Sequence, residues 1–224
     1  MGNRKLVVLF LVVILGIVST GVMAGEYWKF GEFHKDREFF KYRITTYQYE
    51  RNNSEDDTVY ELENEEVIFY QLIITRKNDD LVNISYSYQK DYTGEEFESQ
   101  DSSEKLMLLS SGNLSNIGTV GWITSNIIIL SSQAENLELE VGSSMSTWTG
   151  GKIKITDKKR LAGVEGYVCD YLDVSKNEDG DRISKKTMEW IINPVIGLPI
   201  SIKTFDPQME KIIRSMELVD YEVK

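Results

Sequence analysis

The sequence has very little of the residue types that most metal and nucleophile sites require. Its 224 residues include one cysteine, Cys169, and one histidine, His34. These counts exclude an internal disulfide, a multi-cysteine zinc site and a two-histidine metal site. A Ser-His-Asp or Cys-His arrangement would have to use His34, which lies in a polar and aromatic lead-in (25–37) where nothing is predicted to hold it against a nucleophile. With no G-x-S-x-G, phosphate-loop or dinucleotide motif present, we expect no enzymatic activity and no cofactor.

Positive charge is also scarce. The chain has 25 Lys and Arg against 36 Asp and Glu, a formal net charge of −11. This balance disfavours nucleic acid and anionic membrane surfaces as partners and predicts a soluble, self-repelling surface. Hydrophobic residues make up 41% of the chain, which is ample for a folded core.

The sequence begins with one long apolar run. Arg4 and Lys5 precede Leu6 to Val18, and Val22 and Ala24 have the small-residue spacing of a signal-peptidase site. We therefore expect residues 1–24 to be a signal peptide and 25–224 to be one β-rich extracytoplasmic domain. The alternative is an uncleaved anchor, because Leu6–Ala24 approaches the roughly 20 residues that span a bilayer. Both alternatives predict export, either as a secreted, periplasmic or cell-surface protein or as a membrane-anchored one.

Most of the remaining sequence has the patterns of antiparallel strands. In 81–92 the residues Val82, Ile84, Tyr86 and Tyr88 alternate with polar residues, which predicts one wall of a half-exposed sheet. About nine strands are predicted in all, with 52–57 as a turn and 93–104 as a charged loop. Segment 105–111 has no assignment. The other predicted strands are 39–50, 65–77, 150–156, 166–174, 183–192, 198–202 and 210–223.

One segment has a helical period. Val120, Ile123, Ile127, Leu130 and Ala134 recur at intervals of three and four residues, which predicts a helix over 117–133. Ile128 and Ile129 would widen its apolar stripe. The β-branched run from Ile127 to Ile129 would equally suit a buried strand, and that alternative stays open.

The acidic segment 177–181 resembles the start of a calcium loop. Ser175, Asn177 and Asp179 alternate and Gly180 follows, but the twelfth position, where the loop needs a bidentate Glu, is Lys186. Asp-Gly between two strand patterns also indicates a hairpin turn, so we expect no metal there.

Three further residue types have both a structural and a functional interpretation. Cys169 lies in a strand pattern beside Asp170 and is expected to be a buried structural residue. Glycosylation sequons begin at Asn52, Asn83 and Asn113. The tryptophans are either core and sheet-rim residues or the lining of an apolar pocket between sheet and helix. The predicted ligand-lining residues are Trp122, Ile123, Ile127, Leu130, Trp148 and Trp190.

The order of motifs over 139–223 resembles the C-terminal half of the LolA-like superfamily, exported carriers of lipoproteins and lipids with relatives of unknown function. The motifs are "LEVG", "AGVEGYVCDYLDV", a hairpin, "MEWIINPVIGLPISI" with Trp190 and the Gly197-Leu198-Pro199 step, and "SMELVDYEV". The resemblance implies an antiparallel half-barrel around a helical plug, with an apolar cavity for acyl chains. No cysteine directly follows the apolar run, so we do not expect the lipid anchor that some members carry.

Two non-enzymatic functions therefore compete, beside an unrecognised hydrolase as a third alternative. One is an exported, non-enzymatic binder or carrier of a lipid or acylated chain. The other is an exported or membrane-tethered interaction module whose interior is filled by side chains.

Overall fold

The described residues form one curved sheet of ten antiparallel strands with one helix across it. This confirms the predicted fold of a curved antiparallel half-barrel, of about nine strands, wrapped around one or two helices. The computed structural model describes residues 25–33, 35–53, 58–77, 82–90, 99–103, 118–134, 137–176 and 179–224. The elements are β1 (Arg37–Asn53), β2 (Thr58–Arg76), β3 (Val82–Lys90), β4 (Ser99–Ser103), α1 (Gly118–Ala134), β5 (Ser144–Ser146), β6 (Lys152–Leu161), β7 (Val164–Lys176), β8 (Arg182–Ile192), β9 (Ser201–Phe205) and β10 (Ile212–Val223).

The sheet is open and its strands follow a simple order. Neighbours run β4-β3-β2-β1-β10-β9-β8-β7-β6-β5, so β4 and β5 are the two edges. Two series of antiparallel neighbours, β1 to β4 and β5 to β10, meet where β1 pairs with β10 and Phe40 lies opposite Tyr221. The core therefore extends across strands from both ends of the chain.

Alternating residues of the central strands build one apolar face, which we call the inner face. In β1 these are Phe40, Tyr42 and Ile44, all buried, and their neighbours in β10 include Leu218 and Met216. This is the period-two pattern of a sheet that buries one side. In β3 the pattern is confirmed at Val82 and Ile84, which are buried while Asn83 between them is exposed.

The clearest differences from the sequence prediction concern five strands. β2 starts at Thr58 instead of 65, β4 lies inside the predicted charged loop, and β5 was not predicted. β6 continues to Leu161 beyond the predicted end at 156, and β9 starts at Ser201 instead of 198. In β2 and β4 the added residues are mostly polar and have no apolar alternation. Their backbones pair with β1 and β3 respectively, and this pairing does not require an apolar side chain.

The helix prediction over 117–133 is confirmed by α1, and the strand alternative for the same segment is wrong. Ile127, Leu130 and Ala134 are buried on one side of α1. Ile128 is 51% exposed, so it does not widen the buried stripe as predicted. The reason is geometric, since each helical residue is rotated by about 100° from the one before.

The segment before β1 is packed into the core, whereas the sequence suggested only a polar and aromatic lead-in. Trp28 is fully buried and its indole Nε1 donates to the Ile196 carbonyl at 2.9 Å. The Gly31 amide donates to the Gly197 carbonyl at 2.8 Å. Phe33 is buried as well, so this segment closes one end of the inner face. His34 and residues 1–24 lie outside the described residues.

Candidate functional site: the interface between helix and inner face

The position of α1 is fixed by contacts near both of its ends. Near its start, the Trp122 indole Nε1 donates to Thr204 Oγ1 of β9 at 2.8 Å, and Arg214 of β10 lies 5.4 Å from the centre of the Trp122 ring. Thr204 and Arg214 are paired across the two strands. This end of α1 therefore lies over β9 and β10.

The far end of α1 leads to a different part of the sheet. After Ala134 the chain reaches Leu139, whose amide donates to the Glu26 carbonyl at 2.8 Å. The Glu26 carboxylate in turn accepts the Tyr167 hydroxyl of β7 at 2.9 Å. The 17 residues of α1, roughly 25 Å at the rise of an α-helix, thus lead from β9 and β10 towards β7.

Trp190 lies on the sheet between these two anchors. In β8, Met188 is opposite Thr204 and Ile192 is opposite Tyr167, and Trp190 is the inner-face residue between Met188 and Ile192. Its side chain is fully buried, with the ring edge-on to Tyr171 at 5.8 Å. The path of α1 therefore crosses the part of the inner face that holds Trp190.

Most of the predicted ligand-lining residues meet at this interface. Ile127 and Leu130 of α1 and Trp190 of β8 are buried in one apolar cluster, and Trp122 and Ile123 pack against it half-buried. Trp148 is different, because it lies in the turn between β5 and β6 and is 81% exposed. Trp148 therefore takes no part in the interface.

Sequence reasoning missed the polar groups that α1 carries into the same interface. Asn126 and Gln133 are only 4% and 5% exposed. The Asn126 amide nitrogen donates to the Trp122 carbonyl at 2.9 Å, which leaves its oxygen directed elsewhere. Within the part of the chain that the structure describes, neither Asn126 Oδ1, Gln133 Oε1 nor Trp190 Nε1 has a hydrogen-bond partner.

The spacing of these residues was a usable signal. Asn126, Leu130 and Gln133 are four and three residues apart, which places them on one stripe of a helix. The helical prediction rests on the apolar residues of this stripe alone and therefore does not include its two amides.

Cys169 is a structural residue in the centre of the sheet. It is fully buried in β7, between Ile155 and Trp190 of the neighbouring strands. Burial, and to a smaller extent the charge of Asp170, raises the pKa of its thiol from 9.0 to about 12. The thiol is therefore protonated at neutral pH and is a poor nucleophile.

The acidic segment 177–181 joins two paired strands. Lys176 at the end of β7 is opposite Arg182 at the start of β8, and Gly180 takes the positive φ of 85° that such a turn favours. Asn177 lies outside the described residues. Lys186, at the would-be twelfth calcium position, is ion-paired with Asp170 at 2.7 Å and with Glu189. Among the described residues no three Asp, Glu, His or Cys side chains are grouped to hold a metal.

A groove of about 270 Å³ lies on the opposite, outer face, at the ends of β1 and β10. It is lined by Arg37, Phe39, Asp220, Glu222 and Lys224. Four of these five side chains are charged, so the groove is unsuited to an acyl chain.

Comparisons with known proteins leave the family open. No family model matches the chain, and no curated protein matches it. Among solved structures it is similar to the crystal structure of a DUF1329 family protein from Desulfovibrio piger, with 7% identity over 85% of this chain and 87% of that one, at a TM-score of 0.21. A likeness at this level carries no argument about function, so what the chain does must be argued from its own interface.

Proposed function

We propose that this protein is an exported, non-enzymatic binder or carrier of an apolar ligand, a lipid or an acylated chain, held between α1 and the inner face. The observation that carries the proposal is that α1 lies across an apolar sheet, with Trp122 and Ile123 at its start only partly buried. A helix held near its ends can separate from the sheet along its length without breaking the sheet's own hydrogen bonds. The mechanism is burial of the chain, with no covalent step.

The difference in polarity between the inner and outer faces also supports a carrier of an apolar ligand. The inner face is built from Phe, Tyr, Ile, Leu, Met and Trp, whereas the outer face of the central strands carries paired charges such as Arg43 and Glu217. Apolar surface of this extent attracts acyl chains, and a charged outer surface keeps the loaded protein in solution.

Export and the relation to the membrane are part of the proposal. Arg4, Lys5 and the apolar run from Leu6 support passage across a membrane, with Leu6–Ala24 as a tether if it is not cleaved. Among the described residues no helix is long and apolar enough to span a bilayer. Nucleic acid is not a proposed partner, given the net charge of −11.

The second candidate is an interaction module with a filled interior. It is favoured by one observation: Leu130 and Trp190 are fully buried and Ile127 is 5% exposed, so side chains already occupy much of the interface. This candidate needs no ligand, and the two are separated by the same experiment.

Ile127→Trp enlarges a side chain inside the interface. If a ligand space exists there, we expect a loss of at least about tenfold in affinity for a fluorescent fatty-acid analogue with little change in melting temperature. If the interior is filled, overpacking should instead cost about 1–3 kcal/mol.

Ile128→Trp is the matched control, because Ile128 is the next residue of α1 and is 51% exposed. It should change neither binding nor stability. Absence of binding in the unaltered protein, together with lost stability in Ile127→Trp, would contradict the carrier and leave the interaction module.

A further inference from the structure

The residues at the interface between α1 and the inner face include three buried polar atoms that have no partner in the described part of the chain. Two are acceptors, Asn126 Oδ1 and Gln133 Oε1, and one is a donor, Trp190 Nε1–H; none has a hydrogen-bond partner among the described residues. Buried polar groups are nearly always paired, because an unpaired one costs about 1–3 kcal/mol. Three in one interface call for a common explanation.

The assignment of Asn126 does not depend on an arbitrary amide orientation. Its nitrogen donates to the Trp122 carbonyl at 2.9 Å, and a flipped amide would place two acceptor oxygens against each other. Asn126 therefore offers an acceptor. Gln133 is two helical turns further on the same stripe, with Leu130 between them, so both amides accompany the side of α1 that packs on the sheet.

The donor is supplied by the sheet. Trp190 lies on β8 between Met188 and Ile192. Met188 is opposite Thr204, which accepts a hydrogen bond from Trp122 of α1. Ile192 is opposite Tyr167, towards which α1 leads. The path of α1 therefore crosses the part of the sheet that carries Trp190, whose buried Nε1–H has no hydrogen-bond partner among the described residues.

We propose that this interface binds the polar end of the ligand, and that this end is an uncharged group with both a hydrogen-bond donor and an acceptor, such as the hydroxyl of a monoacylglycerol. The inference rests on the proposed function and specifies its ligand. A hydroxyl accepts from Trp190 and donates to Asn126 or Gln133. A carboxylate would satisfy the indole but would face two carbonyl oxygens, and a simple ester has no donor.

A second polar group near the interface argues for a different ligand. Arg214 lies at the Trp122 end of α1, and a guanidinium is suited to a carboxylate. The guanidinium is already stacked on the Trp122 ring, one helical turn from Asn126. A preference for an ionised fatty acid would place the polar end at Arg214 instead and would overturn the proposal.

The test compares three ligands with the same chain, monolauroylglycerol, laurate and methyl laurate, by calorimetry at pH 8. We expect monolauroylglycerol to bind at least about tenfold more tightly than either of the others, the factor that one well-placed hydrogen bond in a buried site supplies. Equal affinities, or tightest binding of laurate, would overturn the inference while leaving the carrier function in place. Binding of none of the three would overturn both.

Three variants of similar shape locate the contact. Asn126→Leu, Gln133→Met and Trp190→Phe each remove one polar side-chain group, and at least one should lower the affinity for monolauroylglycerol about tenfold. Asn126→Leu and Gln133→Met remove acceptors that methyl laurate, which has no donor, cannot use, so these two should change its affinity less than twofold. Ser132→Ala, on the exposed side of α1, is the control and should change neither. If one variant does not fold, the other two variants and the three-ligand comparison on the unaltered protein still test the proposal. If the variants raise the melting temperature but leave ligand selectivity unchanged, bound water satisfies these groups and the inference is wrong.

Discussion

At the scale of single residues, the fold controls the chemistry of Cys169. Its thiol is buried between Ile155 and Trp190, and its pKa is raised from 9.0 to about 12. We therefore expect iodoacetamide to leave the native protein unmodified at pH 8 and to label it rapidly in denaturant. Rapid labelling of the folded protein would show that the thiol is accessible.

The same pKa shift predicts a dependence of stability on alkaline pH. The folded state holds the thiol proton more tightly than the unfolded state, so this contribution to stability is complete below pH 9 and is lost as the pH rises towards 12. Between pH 8 and 10.5 the loss should reach about 2 kcal/mol from this group. Urea unfolding at the two pH values measures it.

Cys169→Ala is the control for that measurement, since burial also raises the pKa of Tyr42 and Tyr221. The alanine variant should lose less stability than the unaltered protein over the same pH interval. Equal losses would mean that the tyrosines, and not the thiol, account for the effect.

At the scale of elements, the Gly-Leu-Pro step is explained by the segment that packs on it. A Cβ on Gly197 would lie 2.7 Å from the carbonyl oxygen and 2.8 Å from the amide nitrogen of Glu32. Only a residue without a side chain lets the segment 25–33 approach and bury Trp28.

Gly197→Ala should therefore displace that segment. We expect a loss of about 1–3 kcal/mol in the free energy of unfolding and a red shift of the Trp28 fluorescence as its indole leaves the core. Gly163→Ala is the control for lost glycine alone, because a Cβ there meets nothing within 4 Å, although the positive φ of 78° adds its own smaller strain. Only Gly197→Ala should change the fluorescence.

On the outer face, a series of ion pairs connects neighbouring strands. Glu217 of β10 accepts from Arg43 of β1 and from Lys203 of β9, each at 3.1 Å. Burial alone would raise the pKa of Glu217, but the bonds and charges of Lys203 and Arg43 outweigh it and lower the pKa below 4.5. This carboxylate links three strands.

Because the pKa of Glu217 is lowered in the folded protein, acid should reduce the stability that this carboxylate contributes. The stability that Glu217 contributes is present above pH 4.5 and is lost as the pH falls through its lower folded value. Glu217→Gln should cost about 1–2 kcal/mol at pH 7, and the cost should shrink at pH 3. Glu222→Gln, an exposed carboxylate on the same strand, should cost little at either pH, and a pH-independent cost of Glu217→Gln would contradict the ion-pair explanation.

At the scale of the whole molecule, the sequence predicted what local periodicity encodes. The period-two pattern gave the buried residues of β3, the helical period gave α1, and Asp179-Gly180 gave the β7–β8 turn. The burial of Trp28 could not be predicted, because it depends on Ile196, distant in sequence. Only part of the interface could be predicted. The apolar residues of α1 follow a helical period, whereas the lack of a partner for Trp190 Nε1 among the described residues depends on how α1 and β8 pack.

The pairing of β1 with β10 has a consequence for the order in which the protein folds. β1 is synthesised well before β10, its neighbour on one side, so Phe40 can pair with Tyr221 only after the intervening chain has been made. Before β10 is in place, β1 and β9 each have one unpaired edge. Such an edge can pair with a strand of another chain and so promote aggregation. Contacts of such sequence separation fold slowly, on the scale of milliseconds to seconds. Loss of an edge strand would only narrow the sheet. Loss of β10 would separate β1–β4 from β5–β9, because β10 is the strand that pairs with both β1 and β9.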